Sequence, residues 1–165
     1  MDLKAGDWVE VRTQAEILET LDQQGRLENL AFMPEMLQYC GRRFRVFKRA
    51  DKTCEYTQGW SIRRMENSVH LEGLRCDGSG HDGCQAGCLI FWKEAWLKRA
   101  VGNFVPAETI TRAVPPAATI SGLCTIENIQ AATHSTDSNG ESIYSCQATD
   151  VPKFTSAMSF WDPRQ

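Results

Sequence analysis

The sequence predicts a mainly β protein of the α+β class, a small barrel with helical insertions and a C-terminal α/β annex. Three observations predict it. Short segments alternate apolar and polar residues with a period of two, as half-buried strands do. Glycine-marked turns separate them closely. The chain has 165 residues, of which 42% are hydrophobic and 24% charged. That is an ordinary globular composition on a length that buries a core without covalent staples.

The elements follow in order. Gly6-Asp7 precedes Trp8-Val9-Glu10-Val11, which alternates as a strand. Thr13-Gln14-Ala15-Glu16 has the form of a capping box, and Ile17, Leu18 and Leu21 continue it at helical spacing towards Gly25. Pro34 suits the first turn of a second short helix, Glu35 to Cys40, closed by Gly41. Phe44-Arg45-Val46-Phe47-Lys48 alternates again, and Ser68-Val69-His70-Leu71 is a weaker strand. Leu89-Ile90-Phe91-Trp92 reads as a buried strand, and Lys93 to Arg99 as either a helical turn or a further strand. Residues 103–122 carry Val105-Pro106 and Val114-Pro115-Pro116 and read as an extended connector. In the annex, 123–165, Thr125 caps a helix through Ile126 and Ile129, Asp137 to Gly140 turns, and Ser142 to Cys146 is a strand. The apolar Phe160-Trp161 near the end suggests docking on the core or a truncated chain.

The opening strand, the wandering loop after it and the return strand at Phe44 resemble an SH3-like barrel over residues 5–100. The whole chain also resembles bacterial proteins of unassigned function that share the stretches around Met33-Pro34-Glu35-Met36 and Phe91-Trp92-Lys93-Glu94-Ala95-Trp96. That likeness implies no activity.

The net charge is −3, so the chain as a whole is no polyanion binder. No apolar run approaches the length of a membrane span. The start lacks an apolar signal region, and the cysteine count of seven is odd. Both features point to a cytoplasmic protein with reduced thiols rather than a disulfide framework. Charge is nevertheless uneven. Residues 42–64 hold Arg42, Arg43, Arg45, Lys48, Arg49, Lys52, Arg63 and Arg64 against Asp51 and Glu55. The plain reading of this band is a solvated hairpin or a counter-charge to nearby thiolates; interleaved with Phe44, Phe47, Tyr56 and Trp60, it is also a candidate surface for a protein partner, with nucleic acid as the lesser alternative. Residues 44 and 47 point to opposite faces of a strand, so at most one is offered to solvent.

The chemistry concentrates in Cys76-Asp77-Gly78-Ser79-Gly80-His81-Asp82-Gly83-Cys84-Gln85-Ala86-Gly87-Cys88. Thiolates that share a metal must converge, so the backbone between them must turn tightly, and glycine permits that. Glycine amides also offset thiolate charge. The spacing C-x7-C-x3-C needs a fourth ligand. Cys54 is the first candidate and His81 the second, with His70 and Cys146 as further alternates. Zinc sites favour two close cysteine pairs, and here only Cys84 and Cys88 form one. An iron–sulfur cluster accepts irregular spacing of four thiolates. The expected cofactor is therefore an iron–sulfur cluster, [4Fe–4S] favoured, on Cys54, Cys76, Cys84 and Cys88, with zinc as the alternative. Function follows as electron transfer or a structural cluster for a partner, or else a zinc-stabilised adaptor using the basic band. Cys40, Cys124 and Cys146 read singly as packing residues. No nucleophile signature surrounds any cysteine, so no catalytic residue is assigned.

Overall fold

A computed structural model describes residues 1–100, 124–159 and 161–162 of the chain. It is mainly β, with a few short helices. In β1 (Trp8–Val11) the alternation buries Val9 and Val11 and turns Trp8 and Glu10 outward. Thr13 caps α1 (Gln14–Leu18) as expected: its hydroxyl accepts from the Glu16 N–H, and the Glu16 carboxylate accepts from the Thr13 N–H. The helix stops short of Leu21. Gly25, at φ +68°, instead shapes the turn into β2 (Arg26–Leu27). Glu28 and Asn29, at φ 50° and 64°, make the two-residue link to β3 (Leu30–Ala31), the conformation that matches strand twist.

Pro34–Tyr39 is a 3₁₀ helix rather than an α-helix, and Gly41 follows it at φ +72°. Then come β4 (Arg43–Arg49), β5 (Lys52–Glu55), β6 (Ser61–Arg64) and β7 (Ser68–Leu71). After the cysteine-rich loop, β8 (Trp92–Lys93) leads through a 3₁₀ turn at Glu94–Trp96 into β9 (Leu97–Arg99). Residues 93–99 thus hold both elements that periodicity left open.

The main sheet runs β8-β7-β4-β1-β9 and every pair is antiparallel. Among the described residues it is open, with β8 and β9 as its edges. Register shifts between Val46 and Lys48, a bulge that leaves Phe47 exposed while Phe44 packs edge-on to Tyr39 at 5.7 Å. Under the sheet, Phe32 meets Trp96 at 5.1 Å and Trp92 at 6.2 Å, both edge-to-face, and all three are fully buried.

The later elements are α2 (Ile126–Ala131), the hairpin β10 (His134–Thr136) and β11 (Ser142–Tyr144), α3 (Val151–Phe154) and β12 (Ser156–Ala157). Ile129, Val151 and Phe154 join the buried core. β12 pairs with β6, making the sheet β12-β6-β5. Arg63 fastens that seam by donating to the carbonyl of Thr155 at 2.8 Å. The expected connector, 103–122, lies outside the described residues. Trp161 is 86% exposed rather than docked, and Phe160 also lies outside the described residues.

The strand expected at Leu89–Trp92 is shorter than its apolar run. Leu89 only bridges Arg75, and pairing with β7 begins at Trp92. Gln147 covers the outer edge of this segment. Its buried carboxamide takes the Phe91 N–H at 2.8 Å and donates to the Phe91 carbonyl at 3.1 Å, standing where a neighbouring strand would. The same amide nitrogen donates to the Ala31 carbonyl at 2.9 Å.

Candidate metal centre

The cysteine-rich loop joins β7 to β8. Its base is closed by the Arg75–Leu89 bridge and by the Cys76 N–H on the Cys88 carbonyl at 2.9 Å. Inside, the Gly78 carbonyl accepts from the N–H groups of His81 and Gly83. Asp77 accepts from the Ser79 hydroxyl and N–H, which holds its carboxyl below the usual range. Two glycines stand in close contact, Gly78 against backbone and Gly80 against side chains. A Cβ on Gly78, which sits at φ +78°, would lie 2.2 Å from the Cys84 carbonyl oxygen. A Cβ on Gly80 would lie 2.5 Å from Glu35 Oε2. The bare backbone at Gly80 lets the loop close over that carboxylate.

Three different donors converge there. The Cys76 thiol donates to Glu35 Oε1 at 3.3 Å, His81 Nε2 lies 3.5 Å from Cys76 Sγ, and His81 Nδ1 lies 4.0 Å from Glu35 Oε1. One ligand atom from each fits within 4.8 Å of the others. The Glu35 and His81 side chains are only 1% and 7% exposed. Yet Glu35 Oε2 and His81 Nδ1 are buried without a hydrogen-bond partner. Each such orphan costs roughly 1–3 kcal/mol, so the pair is an expensive arrangement unless something occupies it.

Burial, with Glu35 beside it, pushes the Cys76 thiol up to about 12. A cysteine nucleophile needs the opposite setting, electropositive and thiolate-favouring. A cation among these donors would reverse that balance.

The triad opens into a cavity of about 30 Å³, whose wall includes Cys84, Cys88, Cys146 and Gln147. That is room for an ion and little more. Burial raises the Cys88 thiol, and the neighbouring Cys146 and Cys84 raise it further.

Of the residues the sequence singles out, Cys76, Cys84, Cys88, His81 and Cys146 come together at this cavity. Cys54 does not line it. It stands on β5 opposite Ile62, in the sheet that β12 completes. His70 is a packed histidine: its Nδ1 meets the Ile90 carbonyl at 2.9 Å, Phe91 lies 4.7 Å away, and burial lowers its pKa. Cys40 is pushed up to about 11 by burial, as an inert packing thiol is. Cys124 is buried.

The basic band is largely tied to the molecule itself. Arg42 lies over the Tyr39 and Phe44 rings, Arg43 pairs with Glu10 at 2.9 Å, and Arg45 donates to the Gly6 carbonyl. Arg49 bridges Asp51 and the buried Glu94, Arg63 holds the Thr155 seam, and Arg64 pairs with Glu66. Lys48 lies 5.6 Å over the exposed Phe47 ring.

Sequence reasoning missed Glu35. Its signal was a single carboxylate inside the apolar run Phe32-Met33-Pro34-Glu35-Met36-Leu37, where an acid is buried only for a reason.

Among the described residues no helix is long and apolar enough to cross a membrane. Comparison with family models, with curated proteins and with solved structures gave no match.

Proposed function

We propose that the chain is a metal-binding protein whose centre is the Glu35–Cys76–His81 cluster. The observation that carries this reading is the convergence of one O, one N and one S ligand atom from Glu35, His81 and Cys76 within 4.8 Å, with two further polar atoms of the same side chains, Glu35 Oε2 and His81 Nδ1, buried and unpartnered. A mixed donor set of this kind suits a single divalent ion of the zinc class, which accepts carboxylate, imidazole and thiolate together. Seated there, the ion would be held by Glu35, Cys76 and His81, and the cysteines of the cavity wall would be available for a fourth position. Its work is structural or regulatory, as in an adaptor that offers its remaining surface to a partner.

A second reading keeps the iron–sulfur cluster, [4Fe–4S] favoured, for electron transfer or structure. One observation favours it: four thiols, Cys76, Cys84, Cys88 and Cys146, face one cavity. Against it, the cavity must widen to admit a cubane. Elemental and optical analysis of anaerobically purified protein separates the two. Stoichiometric zinc without colour supports the first, and absorbance near 400 nm with iron and sulfide supports the second. Protein that retains neither and takes up neither on reconstitution overturns both.

We also keep the SH3-like description of residues 5–100 as a proposal. Its support is the strand order, in which β1 lies between β4 and the last strand, β9, and the 3₁₀ turn before β9. The proposed partner surface is the outer side of β4 around Arg45, Phe47 and Lys48, for a protein first and nucleic acid second. A cytoplasmic setting suits seven free thiols.

A further inference from the structure

We infer that Cys146 supplies a thiolate to the metal held by Glu35, Cys76 and His81, so that metal loading fastens the segment 124–159 onto the main sheet. This rests on the metal-binding reading above and adds to it a ligand from a distant part of the chain. Cys146 lines the same cavity as the triad but stands outside its 4.8 Å cluster, its sulfur accepting from Thr149 Oγ1 at 3.8 Å, so the thiol turns inward on metal binding. Its backbone is fixed locally: its N–H donates to Thr149 Oγ1 at 2.9 Å, and its carbonyl accepts from the Asp150 N–H at 3.0 Å.

The next residue sets its position against the rest of the site. The Gln147 carboxamide holds Ala31 and Phe91 at once. Ala31 ends β3, four positions before Glu35. Phe91 ends the loop that carries Cys76 and His81. Both arms of the triad are therefore gripped by the residue beside Cys146, and the thiol is held at the cavity wall by that grip. Cys54, on a sheet that does not line the cavity, has no such tether to either arm. On binding, each thiol releases its proton to solvent as the metal–sulfur bond forms, with no redox change.

The test titrates metal-free, reduced full-length protein with Co²⁺, a spectroscopic stand-in for zinc, and then measures Zn²⁺ affinity by chelator competition. Wild type should bind one Co²⁺ with visible tetrahedral bands and a near-ultraviolet thiolate-to-cobalt band. Cys146→Ser should lose a thiolate's share of that band. Its Zn²⁺ affinity should fall by more than the ~10–100-fold that an outer-sphere change costs. Cys54→Ser should match wild type in both. Zn²⁺ should also protect residues 124–159 from limited proteolysis in wild type and not in Cys146→Ser. Circular dichroism of the metal-free proteins, together with Cys146→Ala, controls for folding. If wild type binds no Co²⁺, the metal centre itself is overturned. If wild type binds and Cys146→Ser binds equally, with an unchanged thiolate band, the assignment of Cys146 is overturned and the centre stands. Loss in Cys54→Ser instead of Cys146→Ser would equally overturn it.

Discussion

Replacing Gln147 with leucine tests how the later part of the chain is held. The side chains are similar in volume, so packing is nearly conserved and the loss is polar. The amide oxygen accepts from the Phe91 N–H at 2.8 Å, and the amide nitrogen donates to the Ala31 and Phe91 carbonyls at 2.9 and 3.1 Å. Gln147 is 5% exposed, so water does not replace these partners without structural change. A stranded buried N–H costs roughly 1–3 kcal/mol and a carbonyl with a spare lone pair less, which puts the whole substitution at about 3 kcal/mol. With a urea slope of about 2 kcal/mol/M, the midpoint should fall by about 1.5 M. Equilibrium urea unfolding followed by tryptophan fluorescence reads this directly. A fall smaller than about 0.5 M would mean that the carboxamide does not clamp the two segments, and the tether argued for Cys146 would go with it. Gln147→Glu sharpens the test. It keeps an acceptor for Phe91 but turns oxygens towards two carbonyls, and should destabilise more than leucine at neutral pH.

Three further outcomes are expected. Gly80→Ala places a methyl 2.5 Å from Glu35 Oε2 and should weaken zinc binding by at least ~10-fold, while far-UV circular dichroism stays unchanged. Equal affinity would show that the close approach at Gly80 does not set the position of Glu35 at the metal. Glu35→Gln should make the melting temperature indifferent to added zinc, whereas a merely structural Glu35 would leave the zinc-dependent rise intact. Glu16 is held down to about 2 by its hydrogen bond with Lys98, and Thr13 adds to this as the α1 cap. Its folded value lies below its unfolded one, so its contribution is complete above about pH 4.5 and is lost as pH falls towards 2. After solvent screening this amounts to about 1 kcal/mol. Glu16→Gln should therefore flatten the acid limb of a stability–pH profile, and an unchanged limb would refute the pairing.

What the sequence showed plainly is what local physics determines. The alternation of Trp8 to Val11, the capping box at Thr13, the helix cap at Thr125, and the turn at Asp137 to Gly140 each concern residues within one element. Cys76, Cys84 and Cys88 were legible as a group because glycines between them declare a tight loop. Cys146 was legible only as one of several alternates behind Cys54, because it reaches the cavity through contacts across more than a hundred residues, Gln147 to Ala31 among them. Glu35 was hidden for the same reason: its partner, Cys76, is 41 positions away. The strands of the β5–β6 hairpin could not be bounded because its register sets Lys52 opposite Arg64 and Thr53 opposite Arg63, with no apolar alternation to read. The truncated strand before Trp92 shows a side chain taking the role of a backbone neighbour, which no periodicity announces.

The open main sheet has one more consequence, for behaviour at high concentration. An exposed strand edge is a template on which other chains add strands. Here one edge, β8, has only two residues, and the other, β9, only three. On β9, Lys98 and Arg99 are held by Glu16 and Asp7. A foreign strand would gain few backbone hydrogen bonds and would have to lie against paired charges. Concentrated solutions should resist fibre formation by the main sheet, even though, among the described residues, it does not close on itself.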